Sequence, residues 1–284
     1  MVNLIGAAID QCANVSGAAE TPGLVKQILA DTQSNITLDQ ILHYIDSGHN
    51  VEKLASYYTE LGNVVYNSLL NKQFPIVIGG DHSCAIGTWS GVAKYAANIK
   101  HSFGLIWLDA HMDSHTPQTT GTGNIHGMPL AALLGHGYQD FTQLLSKHPK
   151  CEPANVILIG VRSYEAEEHE LLERLGVKIY YNLEVIERGF NTVFQEAWQN
   201  LTHKVDKIGL TIDIDGFDPE FAPGVGTCVP FGINFNDFMD TYARIDSGKL
   251  LALEIVEANP GMDKDNKTIN CVMDIIATTL QFFK

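Results

Sequence analysis

The chain has 284 residues, of which 45% are hydrophobic and 18% are charged, so it can bury a sizeable core. Its 33 acidic residues outnumber its 18 Lys and Arg residues, which gives a formal net charge of -15. This balance argues against a nucleic-acid partner, because phosphates are bound by clustered Lys and Arg. It suits a cationic ligand, and acidic surfaces also keep proteins soluble.

Short, almost continuously apolar segments predict buried strands at Leu4–Ile9, Phe74–Ile78, Phe103–Leu108, Asn155–Ile159, Lys178–Tyr181, Ile208–Ile212 and Leu250–Ile255. Apolar residues at helical spacing predict helices at Val51–Leu70, Ala85–Ala97, Pro129–Leu134, Tyr164–Leu175, Phe190–Leu201, Asn236–Ile245 and Ile269–Phe282. Strands of this kind are typical of a parallel sheet that is covered on both faces. The alternation predicts one α/β domain over residues 1–284, a three-layer α/β/α fold with a mostly parallel, doubly wound sheet.

The first apolar segment has no basic residue before Asp10, so it is interpreted as a strand and not as a signal peptide. No apolar run approaches the ~20 residues that span a bilayer. The five cysteines are widely spread without a Cys-x-x-Cys pair, which predicts free thiols in a reducing compartment. We therefore expect a cytoplasmic protein with no membrane partner.

Polar motifs directly follow or end four of the predicted strands, at Gly79–Ser83, Asp109–Asp113, Asp213–Asp218 and Glu254–Asn259. In a doubly wound sheet, ligands bind beyond the carboxyl ends of the strands. The four motifs are therefore expected to meet at one site.

Six side chains in these motifs are candidate metal ligands: His82, Asp109, His111, Asp113, Asp213 and Asp215. Residues two apart in extended backbone project to one face, so the spacing of Asp109, His111 and Asp113 brings three ligands together. A single such Asp is often only a helix cap. Clustered carboxylates among apolar strands would repel one another and lose hydration unless a cation joins them. Two imidazoles and four carboxylates exceed one zinc site and suit two divalent ions, manganese before zinc.

The motifs Gly79–Ser83, Asp109–Asp113 and Asp213–Pro219 resemble, in order and spacing, the three signatures of the ureohydrolase family of arginases and agmatinases. The similarity extends from about Ile76 to Pro260 and is greatest to bacterial-type arginases. It implies an arginase-like fold, a hydrolase acting on a small guanidino substrate, two Mn²⁺ per subunit, and a homo-oligomer, either trimer or hexamer. The implied ligands of one ion are His82, Asp109, Asp113 and Asp213. Those of the other ion are His111, Asp109, Asp213 and Asp215, so that Asp109 and Asp213 bridge.

The resemblance also implies a reaction. A hydroxide that bridges the ions attacks the guanidinium carbon, and the tetrahedral intermediate collapses to urea and an amine. Asp113 would orient the hydroxide, His126 would shuttle a proton to the leaving amine, and Glu257 would pair with the guanidinium. Without the resemblance, His126 would be interpreted as a loop histidine bonded to backbone.

The residues that the resemblance assigns to substrate binding are His115, Thr122, Asn124, Glu165, Glu168 and Thr227. The loop from Ser114 to His126 is similar to the arginase loop that holds the α-carboxylate, although His115 stands where Asn is expected. Glu165 and Glu168 match acidic contacts to the α-amino group. Their alternative interpretation is helix-start carboxylates that are favoured by the helix dipole.

The resulting hypothesis is hydrolysis of L-arginine to L-ornithine and urea. Agmatine and other guanidino compounds are the alternative substrates. The arginase-like loop counts against agmatine, whereas His115 in place of Asn leaves other guanidino acids open. Cys228, where Pro is common, would reshape the rim of the pocket. A zinc deacetylase of related fold is another alternative, but it binds a single metal ion. The additional candidate ligands His82, Asp113 and Asp215 favour two metal ions instead. A non-catalytic metal-binding relative would predict a broken ligand set, whereas every ligand position is filled here.

Overall fold

The computed structural model describes residues 1–32, 36–46 and 49–283, so Lys284, the last residue of the predicted domain, lies outside it with 33–35 and 47–48. Within these ranges eight strands form one sheet in which all neighbouring pairs are parallel. The strands are β1 (Val2–Ala8), β2 (Gln40–His43), β3 (Phe74–Gly79), β4 (Phe103–Leu108), β5 (Val156–Val161), β6 (Lys178–Tyr181), β7 (Lys207–Asp213) and β8 (Leu250–Val256). Their order in the sheet is β2-β1-β3-β8-β7-β4-β5-β6.

Helices cover both faces of this sheet. They are α1 (Thr21–Asp31), α2 (Val51–Leu70), α3 (Ala85–Asn98), α4 (Pro129–Leu133), α5 (Gln139–Thr142), α6 (Ala166–Leu175), α7 (Asn182–Arg188), α8 (Phe190–Lys204), α9 (Phe235–Tyr242) and α10 (Lys267–Gln281). Buried side chains of α1, α8, α9 and α10 form the core on one face, and those of α2, α3, α4 and α6 form the core on the other. The predicted three-layer α/β/α fold is confirmed. Within the described ranges, no helix combines the length and the apolar character needed to cross a bilayer.

The continuous apolar character of the strands follows from burial on both sides. All residues of β3 are buried, and successive side chains point to opposite cores. Ile76 and Ile78 belong to one core, while Val77 belongs to the other. All residues of β8 are buried as well, including the carboxylate of Glu254. Its alternation is interrupted at Leu251 and Ala252, which belong to the same core where the pairing with β7 shifts register.

The seven predicted strands and seven predicted helices are all present with small shifts of their ends, whereas β2, α1, α5 and α7 were not predicted. The short edge strand β2 is mostly exposed, so it carries little apolar signal. In α7 the two largest apolar side chains, Leu183 and Ile186, face outward, which breaks the expected pattern. α1 begins with Thr21, Pro22 and Gly23, residues that do not indicate a helix interior.

The order of the strands places the four polar motifs side by side. β3, β8, β7 and β4 are consecutive in the centre of the sheet, and each ends at one motif. The turn after β3 brings Gly80 against the backbone of β1, where its N–H donates to Ala7 O at 2.9 Å. A Cβ on Gly80 would lie only 1.8 Å from Ile9 O, so this approach requires glycine.

Candidate active site

Four of the predicted metal ligands converge on one buried point. Three carboxylate oxygens surround the Nδ1 atom of His82: Asp109 Oδ2 at 3.2 Å, Asp113 Oδ2 at 2.9 Å and Asp213 Oδ2 at 3.0 Å. Among the described residues, none is placed to accept a hydrogen bond from this nitrogen. Burial lowers the pKa of His82, but the three carboxylates together raise it well above its usual value. The three carboxylates therefore stabilise a positive charge at this position, and a divalent cation would supply it.

The other nitrogen of His82 fixes which side of the ring faces the carboxylates. Its Nε2 lies 3.2 Å from Thr211 Oγ1, and that hydroxyl donates to Glu254 Oε2 at 2.7 Å. The hydroxyl oxygen therefore accepts from Nε2–H, which leaves the Nδ1 lone pair free for a metal ion.

A second group adjoins the first and shares one member with it. His111 Nδ1 lies 3.2 Å from Asp215 Oδ2 and 3.5 Å from Asp109 Oδ1. Asp109 thus directs one carboxylate oxygen toward each group, as a bridging ligand would. Asp213 belongs to the first group, where its Oδ1 also accepts from Asp215 N at 2.8 Å, and its bridging role stays a prediction.

Trp107 supports the shared carboxylate and was not singled out from the sequence. Its Nε1 donates to Asp109 Oδ2 at 2.8 Å, and its ring stacks on His82 with 4.3 Å between centroids. Trp107 precedes Asp109 by two residues at the end of β4. The alternation of side chains along a strand is therefore the signal that could have identified it.

The backbone at the site contains two residues in the left-handed region. Asp113 has φ 49° and Glu257 has φ 64°. Each such residue costs on the order of 1 to 3 kcal/mol and persists only because its surroundings hold it. Asp113 O accepts from Leu130 N at 2.9 Å, and Glu257 N donates to Gly80 O at 2.7 Å. Both predicted functional side chains are thus aimed by a constrained backbone.

His126 and Glu257 form a partly buried pair beside the metal groups. His126 Nδ1 lies 3.1 Å from Glu257 Oε1, which also accepts from His82 N at 2.7 Å. Burial lowers the pKa of His126, but the hydrogen bond and charge of Glu257 outweigh this and raise it to about 9. At neutral pH, His126 is therefore an imidazolium that can donate a proton.

A pocket of about 380 Å³ opens above these groups. Its lining includes every residue predicted for catalysis or substrate binding: His126, Asp113, Glu257, His115, Thr122, Asn124, Glu165, Glu168 and Thr227. In the described part of the chain, neither Lys nor Arg lines it. The pocket is therefore suited to a cationic ligand.

Side-chain hydrogen bonds hold two of the predicted substrate-binding residues, Thr227 and Asn124, in the pocket wall. Thr227 Oγ1 donates to Asp215 Oδ2 at 3.0 Å, which places this loop against the second metal group. Asn124 Nδ2 donates to Asn14 Oδ1 at 2.7 Å. Asn14 also lines the pocket. It lies outside the sequence motifs, so no local pattern could have identified it.

The structure brings His115 together with the two predicted glutamates. We name these three residues, His115, Glu165 and Glu168, the acidic wall. His115 Nε2 lies 3.1 Å from Glu165 Oε2 and 3.5 Å from Glu168 Oε2. Glu168 Oε2 also accepts from Glu165 N at 3.1 Å, so the helix-start interpretation describes part of its role at the beginning of α6. Burial and the hydrogen bond to Glu165 raise the pKa of Glu168 to about 8.

Comparison with known proteins agrees with this geometry. The sequence profile of the arginase family matches residues 1–281. An arginase of Bacillus caldovelox is 39% identical over 230 residues, which are 81% of this chain and 76% of the relative. An arginase of Brevibacillus brevis is 36% identical over 86% of this chain and 80% of its own length. The crystal structure of the Bacillus subtilis arginase superposes with a TM-score of 0.88 at 33% identity over 98% of both chains. The predicted resemblance is confirmed, and the chain belongs to the arginase family.

Proposed function

We propose that the protein hydrolyses L-arginine to L-ornithine and urea, with two Mn²⁺ bound in a single catalytic domain over residues 1–284. Membership of the arginase family makes the chain a ureohydrolase, a metal-dependent enzyme that cleaves a guanidino group. The observation that carries the proposal is the convergence of three buried carboxylates within 3.2 Å of His82 Nδ1, beneath a pocket that neither Lys nor Arg lines among the described residues.

The donor set supports a pair of manganese ions. Carboxylate oxygens with imidazole nitrogens suit Mn²⁺, and no cysteine belongs to either group of ligands among the described residues. The first ion would be held by His82, Asp109, Asp113 and Asp213. The second ion would be held by His111, Asp109, Asp213 and Asp215. Such a pair, when bound, polarises the substrate and lowers the pKa of water, so that a nucleophile is available near neutral pH.

The side chains around the pocket would bind the guanidinium and move the proton. Glu257 offers the carboxylate that a planar guanidinium prefers. Asp113 would orient the attacking group, because its Oδ2 is directed into the ligand cluster. His126 would give its proton to the leaving amine, which departs poorly unless it is protonated.

The far end of L-arginine carries an ammonium and a carboxylate. The acidic wall would pair with the ammonium, and the neutral donors Thr122 and Asn124 would face the carboxylate. Agmatine has the ammonium and lacks the carboxylate, so it is the principal competing substrate.

The test is urea release by the manganese-loaded protein from L-arginine, agmatine, 4-guanidinobutyrate and 3-guanidinopropionate. We expect L-arginine to give the highest kcat/KM. Preference for agmatine would contradict the proposed substrate while leaving the metal chemistry intact. Absence of urea from all four compounds would overturn the proposed function. Asp113→Asn, which keeps a residue that tolerates the left-handed backbone, is expected to lose activity and bound metal while remaining folded.

We further propose that the protein acts in the cytoplasm as a homo-oligomer, a trimer or a hexamer. Exposed apolar side chains support the association, since Leu183, Ile186 and Phe231 are 68%, 60% and 77% exposed. The free, buried thiols of Cys12, Cys84, Cys151 and Cys271 are compatible with a reducing compartment. Light scattering after size-exclusion chromatography tests the assembly, and a monomer at micromolar concentration would contradict it.

A further inference from the structure

Both ring nitrogens of His115 are engaged inside the protein. Nδ1 lies 3.1 Å from Thr119 Oγ1, and Nε2 lies 3.1 Å from Glu165 Oε2. A carboxylate only accepts hydrogen bonds, so Nε2 is the donor. In the neutral ring, Nδ1 then accepts from the Thr119 hydroxyl, and in the protonated ring it donates to the same oxygen. In either form no nitrogen of His115 is left for a direct bond to substrate.

The two glutamates of the acidic wall differ in their freedom. The Glu168 side chain is 4% exposed, and its oxygens accept from Ser114 N at 3.0 Å and Glu165 N at 3.1 Å. The Glu165 side chain is 68% exposed. A long exposed side chain loses conformational entropy when it binds a ligand, and a partner that orients it beforehand reduces that loss. His115 is the partner that orients Glu165.

We infer that His115 is a positioning residue for substrate recognition, which holds the Glu165 carboxylate in place to pair with an ammonium group at the far end of a guanidino substrate. The inference rests on the proposed function and deepens it. In this assignment His115 supports recognition of the substrate's ammonium group by orienting Glu165. It does not bind the α-carboxylate of the substrate directly. It also defines the preferred substrates as guanidino compounds that carry a second, primary amino group.

The test removes one group from the enzyme and one from the substrate. Wild type, His115→Ala, Glu165→Gln and the double variant are assayed with three compounds. L-Arginine has both far groups, agmatine lacks the carboxylate, and 5-guanidinopentanoate lacks the α-amino group. Any compound that is not turned over is measured as a competitive inhibitor of L-arginine hydrolysis.

We expect His115→Ala to lower kcat/KM about fivefold to tenfold for L-arginine and agmatine, mainly through KM, since it weakens one charge-assisted contact. With 5-guanidinopentanoate the change should be less than about twofold. Glu165→Gln should show the same dependence on substrate. The double variant should be no weaker than Glu165→Gln alone, because His115 acts through that carboxylate.

Two patterns would overturn the inference. A loss with L-arginine and 5-guanidinopentanoate, but not with agmatine, would mean that His115 serves the carboxylate. An equal loss with all three compounds would mean a merely structural role. The matched charge control is Glu167→Gln, since Glu167 is exposed, lines the same pocket and lies outside the acidic wall. The same substrate pattern in Glu167→Gln would assign the effect to net charge and overturn the inference.

A milder variant covers the case in which His115→Ala does not fold. Thr119→Val removes the partner of Nδ1 and keeps the imidazole, so it should give the same substrate pattern more weakly. The role of His115 alone would be overturned if the wild type hydrolyses L-arginine but Thr119→Val and Glu165→Gln change kcat/KM equally for the three compounds. Absence of hydrolysis by wild type would overturn the proposed function as well.

Discussion

Glu254 is a buried residue that acts on the metal site without facing it. It accepts hydrogen bonds from Trp89 Nε1 at 2.9 Å and Thr211 Oγ1 at 2.7 Å. The Thr211 hydroxyl donates its single proton to Glu254. Toward His82 Nε2 the Thr211 oxygen can therefore act only as a hydrogen-bond acceptor. Partners of this kind set the orientation and tautomer of metal-binding histidines. From the sequence, Glu254 could either support the site residues or be merely structural, and its contacts favour the first alternative.

The hydrogen bonds from His82 Nε2 to Thr211 and from Thr211 to Glu254 form a relay. Glu254→Gln replaces the charged acceptor of this relay with a neutral one, because Trp89 Nε1 and Thr211 Oγ1 both donate to Oε2 and keep the amide oxygen at that position. The weaker acceptor polarises Thr211 and His82 less. We expect Mn²⁺ affinity to fall about tenfold or more, as for other partners of metal ligands. Isothermal titration of the metal-free protein measures this without relying on activity. Trp89→Phe, which removes the hydrogen bond from Trp89 Nε1 to Glu254, should reduce the affinity less. Unchanged affinity in a folded Glu254→Gln variant would contradict the relay.

The pair formed by His126 and Glu257 predicts a pH dependence of stability. The pKa of His126 is raised from 6.5 to about 9, so the folded state binds the proton more tightly than the unfolded state. The stabilisation is therefore complete below pH 6.5 and is lost as the pH rises through 9. Its size is roughly 1 to 3 kcal/mol.

Thermal unfolding of wild type and His126→Asn, both treated with chelator, tests this pH dependence. The difference in Tm should be largest near pH 6 and should shrink between pH 7 and pH 10. A difference that stays constant over this range would show that the pair does not retain the proton in the folded state.

At the scale of elements, the turn after β3 is built around Gly80. Any Cβ there meets Ile9 O at 1.8 Å, and the contact is to backbone that cannot rotate away. We expect Gly80→Ala to lower the free energy of unfolding by about 3 kcal/mol or more, or to prevent folding. Gly23 in α1 is the matched control, since nothing lies within 4 Å of its added Cβ. Gly23→Ala should stabilise by about 0.5 kcal/mol in urea denaturation. Equal effects of the two substitutions would contradict the close approach at Gly80.

How far the elements could be predicted depended on whether their signal is local. The strand β3 is a continuous apolar run, and α2 begins after Asn50, whose side chain accepts from Lys53 N at 3.0 Å. Both features can be recognised in the sequence. The order that places β8 and β7 between β3 and β4 cannot, because it depends on which crossovers the chain makes.

The candidate site also combines features that have a local sequence signal with features that depend on the tertiary fold. The spacing of Asp109, His111 and Asp113 predicted the ligands as a set on the assumption of extended backbone. The strand β4 ends at Leu108 and Asp113 has φ 49°, so the loop geometry that brings these side chains together was not predicted. The contact between His115 and Glu165 joins residues that are 50 positions apart. It depends on the approach of α6 to the loop after β4, which no local pattern encodes. The sequence therefore predicted many of the residues that line the pocket, but not the hydrogen bonds that they make.

At the scale of the whole molecule, metal binding and folding should be strongly coupled. The ligand cluster concentrates four aspartates in the interior, and burial together with the charge of neighbouring Asp109 raises the pKa of Asp113 to about 6. Any ion that binds only the folded chain adds stability by mass action, about 3 kcal/mol at a hundredfold excess over Kd.

We expect removal of metal by chelator to lower the Tm by roughly 5 to 10 °C, and readdition of Mn²⁺ to restore it. Differential scanning calorimetry measures both steps. Asp109→Asn, which alters the carboxylate shared by the two groups, should abolish most of the Mn²⁺-dependent rise. A Tm that is independent of metal in the wild type would contradict the coupling.

The pocket has two ends that belong to different kinds of backbone. The metal groups lie at the ends of β3, β7 and β4, whereas the acidic wall is carried by a later part of the loop after β4 and by the start of α6. None of the three residues of the acidic wall belongs to either metal group. The architecture therefore places hydrolysis and substrate recognition on different residues. A lineage, or a designer, can exchange one amino compound for another through a few positions of the wall while inheriting the hydrolytic centre whole.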